Sequence, residues 1–201
     1  EKGYQYEAGS HIAFSDKFNA NISGFYILRK NMVQSLGTKD GQTISGQVGK
    51  ADSKGLEVDI NTRPWQQFNI NAGYTFTVAK LKEYAKNDYA ENTQAGNYLN
   101  LVPKHMAYGW AFYDFDRSLK GLKLGVGFNY SSKAYVNTAN TLEFEPYAIA
   151  NAMVGYSFKN WKLQMNINNI FDKNYYMTSV NTICFIPEEG RNVKFTVSFD
   201  M

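Results

Sequence analysis

Two histidines, one cysteine and the carboxylates that lie on regular alternating stretches are the first groups to weigh for catalysis or metal binding. The histidines are His11 and His105. A hydrolytic centre needs a histidine beside a serine or an acid. His105 instead sits in "VPKH", at the start of an alternating segment. No His-x-x-x-His or Cys-x-x-Cys spacing occurs. We therefore assign no catalytic residue, no metal site and no cofactor. Glu57, Asp59 and Asp114 lie on alternating stretches and read as part of a polar wall. The richer chemistry sits in long polar stretches, which carry Tyr84, Tyr89, Tyr98, Tyr135, Phe144, Tyr175, Tyr176 and Arg191. Aromatic faces with a few cations suit a bulky, flat or anionic chelate. Tyrosine also sits at interfaces simply because it is amphipathic, and both readings stay open for each residue.

The elements that must position these groups are strands. Apolar and polar residues alternate with period two almost end to end, in nine segments. The apolar sets are Tyr4–Phe14, Phe18–Leu28, Leu56–Ile60, Phe68–Val78, Met106–Phe112, Leu122–Tyr130, Ala148–Phe158, Trp161–Ile167 and Val193–Met201. On the fifth segment the apolar residues are Met106, Tyr108, Trp110 and Phe112. Connections alternate short and long. "SDK", "RPWQQ", "DRSLKG" and "KN" are short, while stretches such as "QSLGTKDGQTISGQVGKADS" and "LKEYAKNDYAENTQAGNYLN" read as long polar loops. Outer-membrane barrels have this asymmetry, with short periplasmic turns and long external loops. A soluble sandwich does not sort its loops by length so regularly.

The faces point the same way. One is nearly pure apolar; the other is Asn, Thr, Ser, Gly and mixed charge. A soluble nine-stranded barrel would have to pack about forty apolar side chains into a narrow lumen. Trp65, Phe68 and Trp161 stand by short turns, Tyr130 and Tyr147 by long loops, as girdles at the two lipid–water boundaries would. The expected fold is all-β, an antiparallel transmembrane β-barrel. No run of eighteen apolar residues exists, so no membrane helix is expected.

Composition fits. Of 201 residues, 44% are apolar and 16% aromatic, which favours strands. The net charge of +3 comes from dispersed residues, which argues against nucleic-acid binding. The lone Cys184 rules out a disulfide framework within the chain. The first residue is Glu, and the chain reads as a processed or truncated piece. With short turns inside, nine strands begin outside and end at the periplasmic rim. Single-chain bacterial barrels have even strand numbers, so an upstream partner is expected.

"NNIFDKNYY", residues 168–176, resembles the Asn-Leu-Phe-Asp-Lys-x-Tyr signature near the C-terminus of TonB-dependent outer-membrane receptors. "YQYEAGSHIAFSD", "SKGLEVDINTRPWQQFNINAGYTFTVA", "LNLVPKHMAYGWAFYDF" and "GRNVKFTVSFDM" resemble further strands of that family, in order and over essentially the whole chain. The resemblance implies a 22-stranded barrel with an N-terminal plug domain, of which residues 1–201 are about the last nine strands. It implies a monomeric receptor in the outer membrane of a Gram-negative bacterium, embedded in its lipid. Such receptors import a ferric siderophore or similar scarce ligand, driven by the TonB complex acting through the plug. Some hydroxamate-type members have two cysteines closing the last long loop; here Cys184 matches one and Ser179 stands near the other. The closing strand ends in Met201 where the family has Phe.

Within "NNIFDKNYY" the alternation fails at Asn168-Asn169, where the strand is expected to reach its outer section. Asp172 and Asn174 are expected to hydrogen-bond their own backbone there. Two other readings remain: a small self-contained outer-membrane barrel with a structural, adhesive or hydrolytic role, and a soluble β-barrel binder.

Overall fold

The computed structural model describes residues 1–39, 41–84, 94–179 and 184–200, and at 35–39 and 48 the backbone. It contains β1 (Lys2–Ser15), β2 (Phe18–Lys39), β3 (Gln42–Trp65), β4 (Phe68–Glu83), β5 (His105–Asp114), β6 (Leu122–Ser131), β7 (Ala134–Tyr135), β8 (Glu143–Phe144), β9 (Tyr147–Phe158), β10 (Trp161–Asn168), β11 (Tyr176–Ser179), β12 (Phe185–Pro187) and β13 (Asn192–Phe199). Nine of these form one antiparallel meander, in the order β1-β2-β3-β4-β5-β6-β9-β10-β13. The other four pair as two small hairpins, β7 with β8 and β11 with β12, inside the long loops. Among the described residues β1 pairs only with β2 and β13 only with β10, so the nine strands form an open sheet.

Period-two alternation and cross-strand register together fix the two faces. One continuous row runs Ile22↔Val58↔Tyr74↔Ala107↔Tyr130↔Ala148. A second, on the other face, runs His11↔Asn21↔Asp59↔Gly73↔Tyr108↔Asn129↔Ile149. The apolar face is uncovered: Val126 is 62% exposed and Phe195 72%. In water such a face would be a large liability, whereas lipid takes it as its natural neighbour. On β4 the outward apolar run from Phe68 to Val78 covers ten steps, about 33 Å of strand, or about 25 Å of membrane normal at the usual barrel tilt.

The short-turn end carries an aromatic row on this face. Phe14 meets Phe18 at 6.3 Å between ring centroids, Trp65 meets Phe68 at 5.6 Å, and Trp161 meets Phe199 at 4.8 Å. Amphipathic and aromatic rings at that level form an interfacial girdle. The last apolar pair before the chain's final residues, Trp161↔Phe199, belongs to it.

Three expectations from sequence change. The stretch read as a loop between the second and third segments is strand: β2 and β3 stay paired from Phe18↔Thr62 to Lys39↔Gln42, with irregularities near Met32 and Ser35. It is polar on both sides because it rises beyond the lipid as a hairpin. On β5, Met106, Tyr108, Trp110 and Phe112 point to the polar face, and Ala107, Gly109, Ala111 and Tyr113 point outward. Trp110 and Phe112 stack at 5.4 Å and nearly parallel, lying over Gly127 and Gly125 of β6. A Cβ on Gly127 would run into the Trp110 ring, so glycine there makes room for the indole. Tyr147, expected in the outer girdle, pairs with Ser131 and shares the inner face with it.

Candidate functional site

The long loops rise from one end of the sheet, and their aromatic groups fall into two clusters on opposite sides of the wall. The inner cluster is built around β8. Phe144, only 8% exposed, stacks on Tyr176 at 6.3 Å and meets Phe185 edge-on at 5.5 Å. Tyr176 also meets Phe185 at 6.2 Å. Tyr175 packs against Tyr147 at 4.5 Å. Because Tyr147 shares the inner face with Ser131 and Met106, this cluster overhangs the lumen side of the sheet. A cavity of ≈ 320 Å³ opens between Leu142–Tyr147 and Lys173–Tyr176, with Phe185 on its wall. Burial first, then the carboxylates of Glu188 and Glu189, push the Tyr175 phenol above its ordinary value. It stays a neutral hydrogen-bond donor at physiological pH. The wall is therefore aromatic, with hydroxyls at its edge and acidic groups nearby.

The loop is held by asparagine chemistry. Asn169 has a positive φ of 51° and is 2% exposed. Asparagine tolerates that left-handed backbone better than most residues. Its Nδ2 donates to Lys173 O at 2.9 Å and its Oδ1 accepts from Lys173 N–H at 2.9 Å. Its own N–H donates to Asn151 Oδ1 on β9, tying the turn to the wall. The Asp172 carboxylate does not bond its own stretch: Oδ1 accepts from the Arg191 N–H at 2.7 Å, across the loop. Arg191 Nη1 reaches back to Ile170 O at 3.5 Å. Arg191 thus closes the base of the loop that carries Tyr175 and Tyr176.

The outer cluster is built around Tyr98. A single antiparallel bridge sets Lys80 opposite Tyr98, and Leu81 and Ala79 exchange backbone bonds with Asn97 and Leu99. Asn140 clamps Tyr98 from the next loop, accepting its N–H at 2.7 Å and donating to its O at 2.9 Å. Tyr98 stacks on Tyr135 at 5.9 Å. Lys104 and Lys80 place their ammonium groups 4.1 and 4.7 Å from the Tyr98 ring centroid. The hydrogen bond from Lys104, then the charges of Lys104 and Lys80, hold the phenol below its ordinary value. Lys80 and His105 belong to the outward face, so this group sits on the lipid side of the wall.

Of the eight residues singled out by sequence, the structure thus brings Phe144, Tyr175 and Tyr176 together on the inner side and Tyr98 and Tyr135 together on the outer side. Arg191 is part of the loop's base. Tyr84 directly follows β4 and is half-buried, and Tyr89 lies outside the described residues. Sequence reasoning missed Phe185 and the inward placement of Tyr147. Both needed the β11–β12 pairing and the β6–β9 register, which no local pattern reveals. Cys184 is exposed, and Ser179 stands opposite Phe185, the next residue in the chain. Among the described residues no group of three or more His, Cys, Asp or Glu could hold a metal ion. His105 is engaged by the Tyr74 hydroxyl at 2.7 Å and His11 by Asn21 at 2.6 Å.

A family model described as TonB dependent receptor-like, β-barrel, matches residues 1–170. The ferrichrome outer membrane transporter/phage receptor of Escherichia coli (strain K12) is 31% identical over 98% of this chain and 26% of its own length. The ferrioxamine receptor of Yersinia enterocolitica is 29% identical over 98% of this chain and 27% of its own. Among solved structures, the crystal structure of the siderophore receptor PiuA from Acinetobacter baumannii covers 98% of this chain with a TM-score of 0.79 at 28% identity, and is itself covered over 28%. The chain spans about a quarter of the length of the curated relatives it matches.

Proposed function

The chain belongs to the TonB-dependent receptors, and from that premise we propose that it is the C-terminal part of the barrel of a ferric-siderophore transporter. Its place is the outer membrane of a Gram-negative bacterium. The remaining strands complete a 22-stranded, monomeric barrel around an N-terminal plug, and TonB acts through that plug. The open edges of β1 and β13 support this reading, since lipid does not tolerate unpaired backbone. They disfavour a small self-contained barrel, as does the length of the relatives. The protein moves its ligand and performs no reaction on it.

The observation that carries the proposal is the inward aromatic wall of Phe144, Tyr175 and Tyr176, extended by Tyr147 and Phe185 at the external mouth. A ferric siderophore is a bulky chelate with apolar and polar faces, and rings with edge hydroxyls bind both without a fixed charge. Relatives carry names of ferrichrome and ferrioxamine receptors, and hydroxamate chelates are the first substrates to test. The outward Tyr98 and Tyr135 contribute to rim geometry and not to the ligand. Titrating the purified full-length protein with ferrichrome, ferrioxamine B and a ferric catecholate, by tryptophan fluorescence, tests this. Phe144→Ala and Tyr176→Ala should each weaken the best ligand about 10- to 100-fold, the loss of one good stacking contact or two. Unchanged affinity in both variants would remove the site.

A further inference from the structure

The outward face carries a second chemical feature, independent of which ligand the loops take. On each of the first four strands the apolar run ends, at its external side, in a lysine: Lys2, Lys30, Lys54 and Lys80. Lys2, Lys30 and Lys50 form one directly paired row, Lys2↔Lys30↔Lys50. Like charges facing each other across strands are unfavourable, so such a row calls for a counter-charge. The protein supplies little. Lys50 pairs with Glu83 at 3.1 Å and Lys82 with Asp52 at 3.0 Å. Among the described residues no carboxylate forms an ion pair with Lys2, Lys30, Lys54, Lys80 or Lys104, although Asp52, bound to Lys82, stands opposite Lys80 in register. Lys30 instead lies over the Tyr4 ring at 5.4 Å, and Lys80 and Lys104 over Tyr98. A cation–π contact fixes an ammonium without neutralising it.

Position decides which anion fits. Directly below this row, on the same face, lie Tyr4, Tyr26, Leu28, Leu56 and Val78, the upper edge of the lipid-facing band. An anion at the lysines with hydrocarbon attached beneath it would cover both surfaces at once. We propose that the lysine row from Lys2 to Lys104 binds the phosphate groups of a phosphorylated glycolipid of the outer leaflet, whose acyl chains lie on the apolar band below. Several ammonium groups stand side by side at the level where a bis-phosphorylated headgroup presents several negative oxygens, and Lys30, Lys80 and Lys104 are already held over tyrosine rings. Free phosphate would meet the same charges but leave the apolar edge unfilled.

The test uses the full-length protein, extracted from outer membranes in detergent. Native mass spectrometry counts the lipid A that stays bound. The Lys30→Gln/Lys50→Gln/Lys80→Gln/Lys104→Gln variant should retain at least about tenfold less than the unaltered protein. The matching four-fold Lys→Arg variant should retain it, because the charges persist. Heat-modifiable gel mobility confirms that both variants are folded. After delipidation, bis-phosphorylated lipid A should rebind, dephosphorylated lipid A should rebind at least about tenfold more weakly, and inorganic phosphate at the same concentration should displace neither. Equal retention in the Gln variant, equal binding of the dephosphorylated lipid, or full displacement by inorganic phosphate would each overturn the proposal.

Discussion

Asn169 is the residue whose replacement should tell most about how the binding loop is held. In Asn169→Ala three side-chain hydrogen bonds vanish: a short pair, both at 2.9 Å to Lys173, and a long, weak one at 3.4 Å to Glu189 O. A net hydrogen bond contributes about 1 kcal/mol, so the pair amounts to about 2 kcal/mol. Alanine must also take a φ of 51°, which costs a further 1 kcal/mol or so. The sum is about 3 kcal/mol. Asn169→Gly loses the same bonds but adopts that backbone freely, so about 2 kcal/mol is expected. Hydrogen exchange by mass spectrometry on the full-length protein reads this directly. The N–H groups of Asp172, Lys173 and Arg191 are all bonded within the turn. Their exchange should speed up roughly a hundredfold in the alanine variant, at 1.4 kcal/mol per factor of ten, and several-fold less in the glycine variant. Exchange in β4 and β6 should not move. If both variants keep these amides protected within about twofold, the turn is held by something other than Asn169 and the reasoning fails.

Other expectations follow from the faces and the loops. Val126→Arg, in the middle of the lipid-facing side of β6, should destabilise the folded protein in bilayers by about 2–4 kcal/mol, whereas Asn129→Arg on the inner side should cost little; denaturant unfolding in lipid vesicles separates them. Gly127→Ala should cost about 1–3 kcal/mol because its Cβ meets the Trp110 ring, and almost nothing in a Trp110→Ala background, which a double-mutant cycle reads. The Tyr98 phenol, held low by the Lys104 hydrogen bond and the two lysine charges, should ionise ahead of ordinary tyrosine in an ultraviolet titration. The sign is that of a depressed acid: its phenolate is favoured by the fold, so this contribution is present at alkaline pH and lost as pH falls through the folded pKa. Lys104→Gln should return it towards the ordinary value.

The membrane face was legible where side chains contrast. On β6, β10 and β13 large apolar and polar residues alternate, and the structure keeps every one of those assignments; on β9 the outward set from Ala148 to Phe158 holds, but Tyr147, Ile149 and Met153 on the inner side blur the contrast. It was illegible on β5, where small Ala107, Gly109 and Ala111 alternate with large Met106, Tyr108, Trp110 and Phe112. Size pointed to the lipid, but the register with Gly125, Gly127 and Asn129 points inward. Tyr108 makes the reason plain: its hydroxyl donates to Asp59 at 2.9 Å across the polar face. The upper halves of β2 and β3 were read as loop because both their sides face water, so no alternation marks them. The candidate site was legible as residue types and not as geometry. Tyr175 and Tyr176 stand in a recognisable stretch, but their partners Tyr147, Phe144 and Phe185 come from other strands and from ladders of two to four residues. Such ladders are too short for a period to register.

Membership of this chain in a TonB-energised ferric-siderophore transporter is the proposal on which the function of its loops depends. It is tested most directly by uptake of radiolabelled iron, presented as ferrichrome, ferrioxamine B or a ferric catecholate, in a Gram-negative strain lacking its own receptors and supplied with the full gene. At least one of these chelates should enter only when the gene and TonB are both present, and Phe144→Ala and Tyr176→Ala should diminish that uptake. Binding and uptake of none of them, or accumulation that is equal with and without TonB, would contradict the proposal.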